Sequence, residues 1–208
     1  IKNSKFQINR MSFPNQLSLL RIILAPLFLY LFLSENPVYK KISLFVFFIA
    51  VLTDWYDGWH ARRYGQVSKA GIFLDPLADK ILTSMAFIGF YILKIMPMWM
   101  VLIIVVRDIV ITLLRSYQEV NGRTMKTSYI AKTKTFIQMT YIFLIVILVC
   151  SLSFDINENL KSSINDFLYS GLNYILMLSV TLITLYTGVS YFFEKKTRIC
   201  DKRNIFQL

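Results

Sequence analysis

Between Asp54 and Asp79 the chain sets four carboxylates, Asp54, Asp57, Asp75 and Asp79, into or beside runs otherwise apolar enough to lie in a bilayer. That conflict constrains the fold more than any other feature. Asp54 and Asp57 are three residues apart and Ala61 follows four later, so all three share one face of a helix. Gly71, Asp75 and Asp79 repeat every fourth residue, which lines up a second face rising roughly 6 Å per step. Four acids gathered at membrane depth repel one another and cost several kcal/mol each unless they are compensated. Hard divalent cations compensate them best, because carboxylate oxygens are their preferred ligands. The expectation is a metal site between two transmembrane helices. Taken alone, Asp75 before Pro76 also reads as a helix N-cap.

Apolar runs fall at about 16–34, 42–64, 76–94, 99–117, 135–153 and 167–193, each long enough to cross roughly 30 Å of hydrocarbon. Hydrophobic residues make up 56% of the 208, which places the chain among polytopic membrane proteins. The predicted fold class is an all-α membrane protein: six transmembrane helices around a polar, cytoplasm-facing cavity, plus a short N-terminal amphipathic helix. Residues 1–14 form that juxtamembrane segment and residues 15–208 a single domain. The first run continues too far, without a small-residue cleavage site, to read as a signal peptide.

The net charge of +11 does not point to nucleic acid. Basic residues sit at the ends of apolar runs, where they serve as topology signals and contacts for anionic headgroups. They cluster at the N-terminus, at 62–69, at 115–134 and in the tail. By the positive-inside rule both termini and the aspartates face the cytoplasm. Cys150 and Cys200 have no metal-ligand spacing and are not expected to pair. Asn15, Ser18 and Arg21 recur every three residues and form a polar stripe on the first span. Arg107 lies near the middle of the fourth, where a charge is a functional candidate. Arg115 shares its face, while Lys132, Lys134, Thr135 and Gln138 open the fifth span. Together these basic residues suit a phosphate monoester, although Asp108 also offers Arg107 a structural partner.

The full pattern D-x-x-D-G-x-x-A-R, eight residues, then G-x-x-x-D-x-x-x-D is met by Asp54, Asp57, Gly58, Ala61, Arg62, Gly71, Asp75 and Asp79. It resembles the signature of the CDP-alcohol phosphatidyltransferase family. Three further stretches are similar to the phosphatidylglycerophosphate synthase branch of that family. They are N-x-x-[ST]-x-x-R-x-x-x-x-P from Asn15 to Pro26, R-E-x-x-x-x-x-L-R from Arg107 to Arg115, and G-K-x-K-T from Ala131 to Thr135. Asp108 stands in place of the glutamate and Ala131 in place of the glycine.

The resemblance implies transfer of the phosphatidyl group of CDP-diacylglycerol to sn-glycerol 3-phosphate, with CMP leaving. Asp54, Asp57, Asp75 and Asp79 would hold two Mg²⁺ or Mn²⁺ ions, and Asp79 would also take the acceptor's proton. Asp54, Gly58, Ala61, Arg62 and Gly71 would form the cytidine diphosphate pocket. Arg107, Arg115, Lys132 and Lys134 would bind the acceptor phosphate, with Asn15, Ser18, Arg21, Thr135 and Gln138 lining the cavity. Other acceptors for the same chemistry are phosphatidylglycerol, as in cardiolipin synthases, and inositol phosphate. A divalent-cation transporter would use the acids alone. It leaves the small residues and the arginines without a purpose. A homodimer in a bacterial cytoplasmic membrane, contacting membrane lipids, completes the expectation.

Overall fold

The computed structural model describes the backbone of residues 13–64, 69–120 and 129–205 and the side chains of 16–53, 74–118 and 132–191. Seven helices and no strand occur among the described residues: α1 (Phe13–Leu33), α2 (Pro37–Tyr64), α3 (Lys69–Ile92), α4 (Met98–Val120), α5 (Tyr129–Ser151), α6 (Glu158–Leu168) and α7 (Gly171–Ile205). The all-α class is as expected. Residues 1–12, which hold most of the expected amphipathic segment, lie outside the described residues.

Three helical stretches among the described residues are long and apolar enough to cross a membrane: Gln16–Leu33, Lys132–Ser151 and Gly171–Tyr191. Helices α3 and α4 are not in that group, and the side chains of α2 are described only over 37–53. Asp75, Asp79 and Lys80 interrupt the apolar run of α3, as Arg107, Asp108 and Arg115 interrupt that of α4. The outer surface differs from that of a water-soluble bundle, and polar groups are buried alongside the apolar core. Ser18, Arg21, Asn173, Thr181 and Thr184 are fully buried, whereas Ile23, Phe45, Phe136 and Ile175 are exposed. Apolar side chains turned outward and polar ones turned inward suit hydrocarbon as the solvent. The chain is an integral membrane protein.

Helix α1 packs along both α2 and α3, α3 continues onto α4, and α4 and α5 both contact α7. Aromatic rings make the centre of the core. Phe28 stacks on Phe32 at 5.2 Å between centroids, and Phe47 approaches Phe28 at 5.0 Å. Phe90 meets Phe87 edge-on at 6.0 Å. The edge-to-face and offset arrangements match what ring quadrupoles favour. Gly89 permits the approach of α1: a Cβ there would stand 3.0 Å from the Phe32 ring.

Two boundaries differ from expectation. Helix α3 begins at Lys69, so Asp75 and Pro76 lie inside it and Asp75 is not an N-cap. The sixth expected run, 167–193, is broken. Residues 158–168, most of which precede that run, form α6, which buries Ile164 and Leu168 four residues apart on one face. Ser170 then starts α7 by accepting the Asn173 N–H at 3.1 Å. The fully buried Asn173 locks the junction. Its side chain donates to the Leu168 carbonyl at 2.6 Å and accepts from the Tyr141 hydroxyl at 3.1 Å.

At the far end of α3, Ile95 N–H bonds the Phe90 carbonyl at 2.9 Å and Lys94 N–H bonds that of Tyr91 at 2.9 Å. These are the paired bonds of a Schellman ending. They put Lys94 at φ 59°, the left-handed position that glycine usually fills.

Candidate active site

The signature residues fall on two helices. Asp54, Asp57, Gly58, Ala61 and Arg62 occupy the last turns of α2, and Gly71, Asp75 and Asp79 the first half of α3. Both stretches are helical, so the three- and four-residue spacings do put each aspartate pair on one face. The side chains of Asn15, Asp54, Asp57, Ala61 and Arg62, and the surroundings of Gly58 and Gly71, lie outside the described residues. No group of three His, Cys, Asp or Glu side chains occurs among the described ones.

Asp75 and Asp79 are half-buried, one turn apart. One oxygen of each is fixed by a neighbour. Ser18 Oγ, buried on α1, donates to Asp75 Oδ1, and Lys80 Nζ lies 2.9 Å from Asp79 Oδ2. Hard oxygen donors held by outer partners are what a divalent cation of the Mg²⁺ type requires, so these residues fit such an ion.

A second polar cluster centres on Asp108. Its Oδ1 accepts from Arg107 Nη1 at 2.9 Å and from Lys134 Nζ at 2.5 Å, and its Oδ2 from Gln138 Nε2 at 3.0 Å. Asp108 and Lys134 are each 3% exposed and Gln138 2%. Charges this deep persist only when paired and hydrogen-bonded. Arg107 Nη2 reaches across to α7 and donates to Thr187 Oγ1 at 2.8 Å. Lys80, paired with Asp79 on α3, lies within Coulombic range of Asp108 and Arg107 on α4.

Of the other expected phosphate ligands, Arg115 lies over the Tyr191 ring, 5.7 Å from its centroid, and Lys132 is exposed. Arg21 and Ser18 are both fully buried on α1, as the expected polar stripe requires, while Thr135 is exposed.

The profile of the CDP-alcohol phosphatidyltransferases matches residues 11–190. The chain belongs to that family. Among its relatives is the CDP-diacylglycerol–glycerol-3-phosphate 3-phosphatidyltransferase of Bacillus subtilis, 36% identical over 138 residues, or 61% of this chain and 72% of that protein. The protein of the same name from Wigglesworthia glossinidia brevipalpis is 37% identical over 139 residues, covering 64% and 76%. That from Rickettsia bellii is 31% identical over 180 residues, covering 86% and 92%.

Within this phosphatidyltransferase, the contribution of α7 escapes a reading by motif. Thr181, Thr184, Thr187 and Tyr191 are all buried. Hydroxyls recurring every three or four residues along an otherwise apolar helix are the signal that points to it. A cavity of about 430 Å³ lies between the α3–α4 turn and the α6–α7 junction, lined by Lys94, Pro97 and Tyr169 among others. It sits at the opposite end of α3 from Asp75 and is no part of the site.

Proposed function

We propose that this phosphatidyltransferase moves the phosphatidyl group of CDP-diacylglycerol to sn-glycerol 3-phosphate, giving phosphatidylglycerol phosphate and CMP. The observation that carries the reading is the buried Asp108–Lys134 pair with Arg107 on it, in a chain whose signature carboxylates Asp75 and Asp79 are held by Ser18 and Lys80. One end of such a site suits a metal-bound diphosphate and the other an anionic acceptor. The relatives named for this reaction support the same choice of donor and acceptor.

In this reading Asp54, Asp57, Asp75 and Asp79 hold Mg²⁺ or Mn²⁺, which supplies charge neutralisation at the diphosphate and at the leaving oxygen. Asp54, Gly58, Ala61, Arg62 and Gly71 shape the cytidine diphosphate pocket, small residues allowing close approach. Arg107 and Lys134 draw the acceptor's phosphate into place, with Arg115 and Lys132 nearer its entrance. The acceptor hydroxyl oxygen attacks the lipid-bearing phosphorus, the bond to the CMP oxygen breaks, and Asp79 takes the hydroxyl proton. Alignment and electrostatics supply most of the rate. The diacylglycerol tails stay in the bilayer throughout.

The architecture that fits this chemistry has six spans, α1 to α5 and α7, with the site and both termini facing the cytoplasm of a bacterial cell. The outward apolar faces of α3 to α5 suit a homodimer. A cation transporter is disfavoured by the buried Lys134 and the half-buried Arg107, which would repel its cargo.

The test is CMP release from CDP-diacylglycerol by purified protein in detergent, with and without Mg²⁺, across a panel of radiolabelled acceptor alcohols. Metal-dependent CMP release with sn-glycerol 3-phosphate and a product migrating as phosphatidylglycerol phosphate is expected. Product with phosphatidylglycerol or inositol phosphate instead would reassign the acceptor. Cation flux in liposomes without CMP release would remove the enzyme reading altogether.

A further inference from the structure

We infer that Thr187 and Gly188 of α7 are positioning residues for the acceptor, acting together as the seat of the Arg107 guanidinium. The inference rests on the acceptor reading above and extends it to a helix outside the family signature. Thr187 Oγ1 lies 2.9 Å from the Ile183 carbonyl and 3.0 Å from that of Thr184, so its single proton is spent within its own helix. The hydroxyl oxygen therefore meets Arg107 only as an acceptor, receiving Nη2 at 2.8 Å. The next residue completes the seat. A Cβ on Gly188 would stand 3.1 Å from Arg107 Cγ and 3.3 Å from Nε, closer than ordinary packing. Glycine lets the arginine stem lie against the α7 backbone, and the threonine fixes the fork at its end.

This arrangement divides the work on one side chain. Asp108 takes one terminal nitrogen and Thr187 the other. Arg107 Nε is buried and has no hydrogen-bond partner among the described residues. A guanidinium so held has its rotamer set before the ligand arrives, which lowers the ordering cost of binding. Phosphate recognition by arginine depends on that orientation more than recognition by lysine does. One turn further along α7, Tyr191 receives Arg115 on its ring face, so the same helix face steadies both arginines of α4.

The test compares Thr187→Val, Thr187→Ser and Gly188→Ala with the parent protein in detergent. First, the parent is assayed with sn-glycerol 3-phosphate; no product there sinks the acceptor reading, independently of α7. With product, Thr187→Val, which keeps the shape and removes the acceptor oxygen, is expected to raise KM for sn-glycerol 3-phosphate about tenfold. Its KM for CDP-diacylglycerol should stay within about twofold of the parent, and Thr187→Ser should restore most of the loss. Gly188→Ala should raise the same KM without lowering the melting temperature, since alanine favours helix over glycine. Unchanged acceptor KM in both Thr187→Val and Gly188→Ala, equal loss for both substrates, or a serine variant as weak as the valine would overturn the inference.

Discussion

Lys134 on α5 and Asp108 on α4 meet at 2.5 Å, both buried, across a helix interface. The carboxylate also serves Arg107, so one anion neutralises two cations. Replacing it by Asp108→Asn leaves the buried Lys134 and the half-buried Arg107 beside a neutral amide. We expect this to cost about 3 kcal/mol, read as a lower melting temperature by tryptophan fluorescence in detergent. The double variant Asp108→Asn/Lys134→Gln should recover part of the loss. An unchanged melting temperature in the single variant would mean the pair is solvated.

Arg107→Ala removes two charge-assisted hydrogen bonds and the guanidinium itself. KM for sn-glycerol 3-phosphate should rise on the order of a hundredfold while KM for CDP-diacylglycerol moves by less than about threefold. Steady-state kinetics with each substrate varied in turn separates the two. Equal losses would place Arg107 outside the acceptor site.

Ser18→Ala removes the hydroxyl that fixes Asp75 Oδ1. An outer-shell partner of this kind is worth about tenfold in metal affinity. The Mg²⁺ concentration giving half-maximal CMP release should rise accordingly, with activity recovered at saturating Mg²⁺. Loss that excess metal does not recover would assign Ser18 a different role.

Lys94 occupies a left-handed conformation at the end of α3. Lys94→Gly relieves about 1 kcal/mol of strain and returns part of it through glycine's greater unfolded freedom. A net stabilisation of about 0.5 kcal/mol is expected, seen as a higher melting temperature with kinetics unaltered. A fall would show that the lysine side chain itself holds the turn.

The helical phase of the aspartates was legible because it depends only on spacing, 54 to 57 and 71 to 75 to 79, and the helix repeat supplies the rest. The spacing from Gly71 to Asp79 implies a helix already running before Pro76, and α3 does begin at Lys69, past the first-turn preference of that proline. The α6–α7 break hid inside an apolar run. Its cause is the cap at Ser170 together with the buried Asn173, whose partners Tyr141 and Leu168 come from other elements. Asp108 beside Arg107 was readable as a pair from adjacency. That the same carboxylate also takes Lys134 and Gln138 depends on how α4 meets α5, which spacing along one helix does not determine. Thr187 escaped for the same reason: its role comes from α4 crossing α7.

In the proposed acceptor site, the sharing of Asp108 sets how much charge Arg107 and Lys134 offer an incoming anion. Arg107, Lys134 and Asp108 together amount to a single surplus positive charge. Attraction scales with the product of charges, so a phosphate monoester, close to a dianion at neutral pH, is drawn about twice as strongly as a diester headgroup carrying one. On the proposed function, the cluster would in this way favour a soluble sugar-alcohol phosphate over the far more abundant lipids around it.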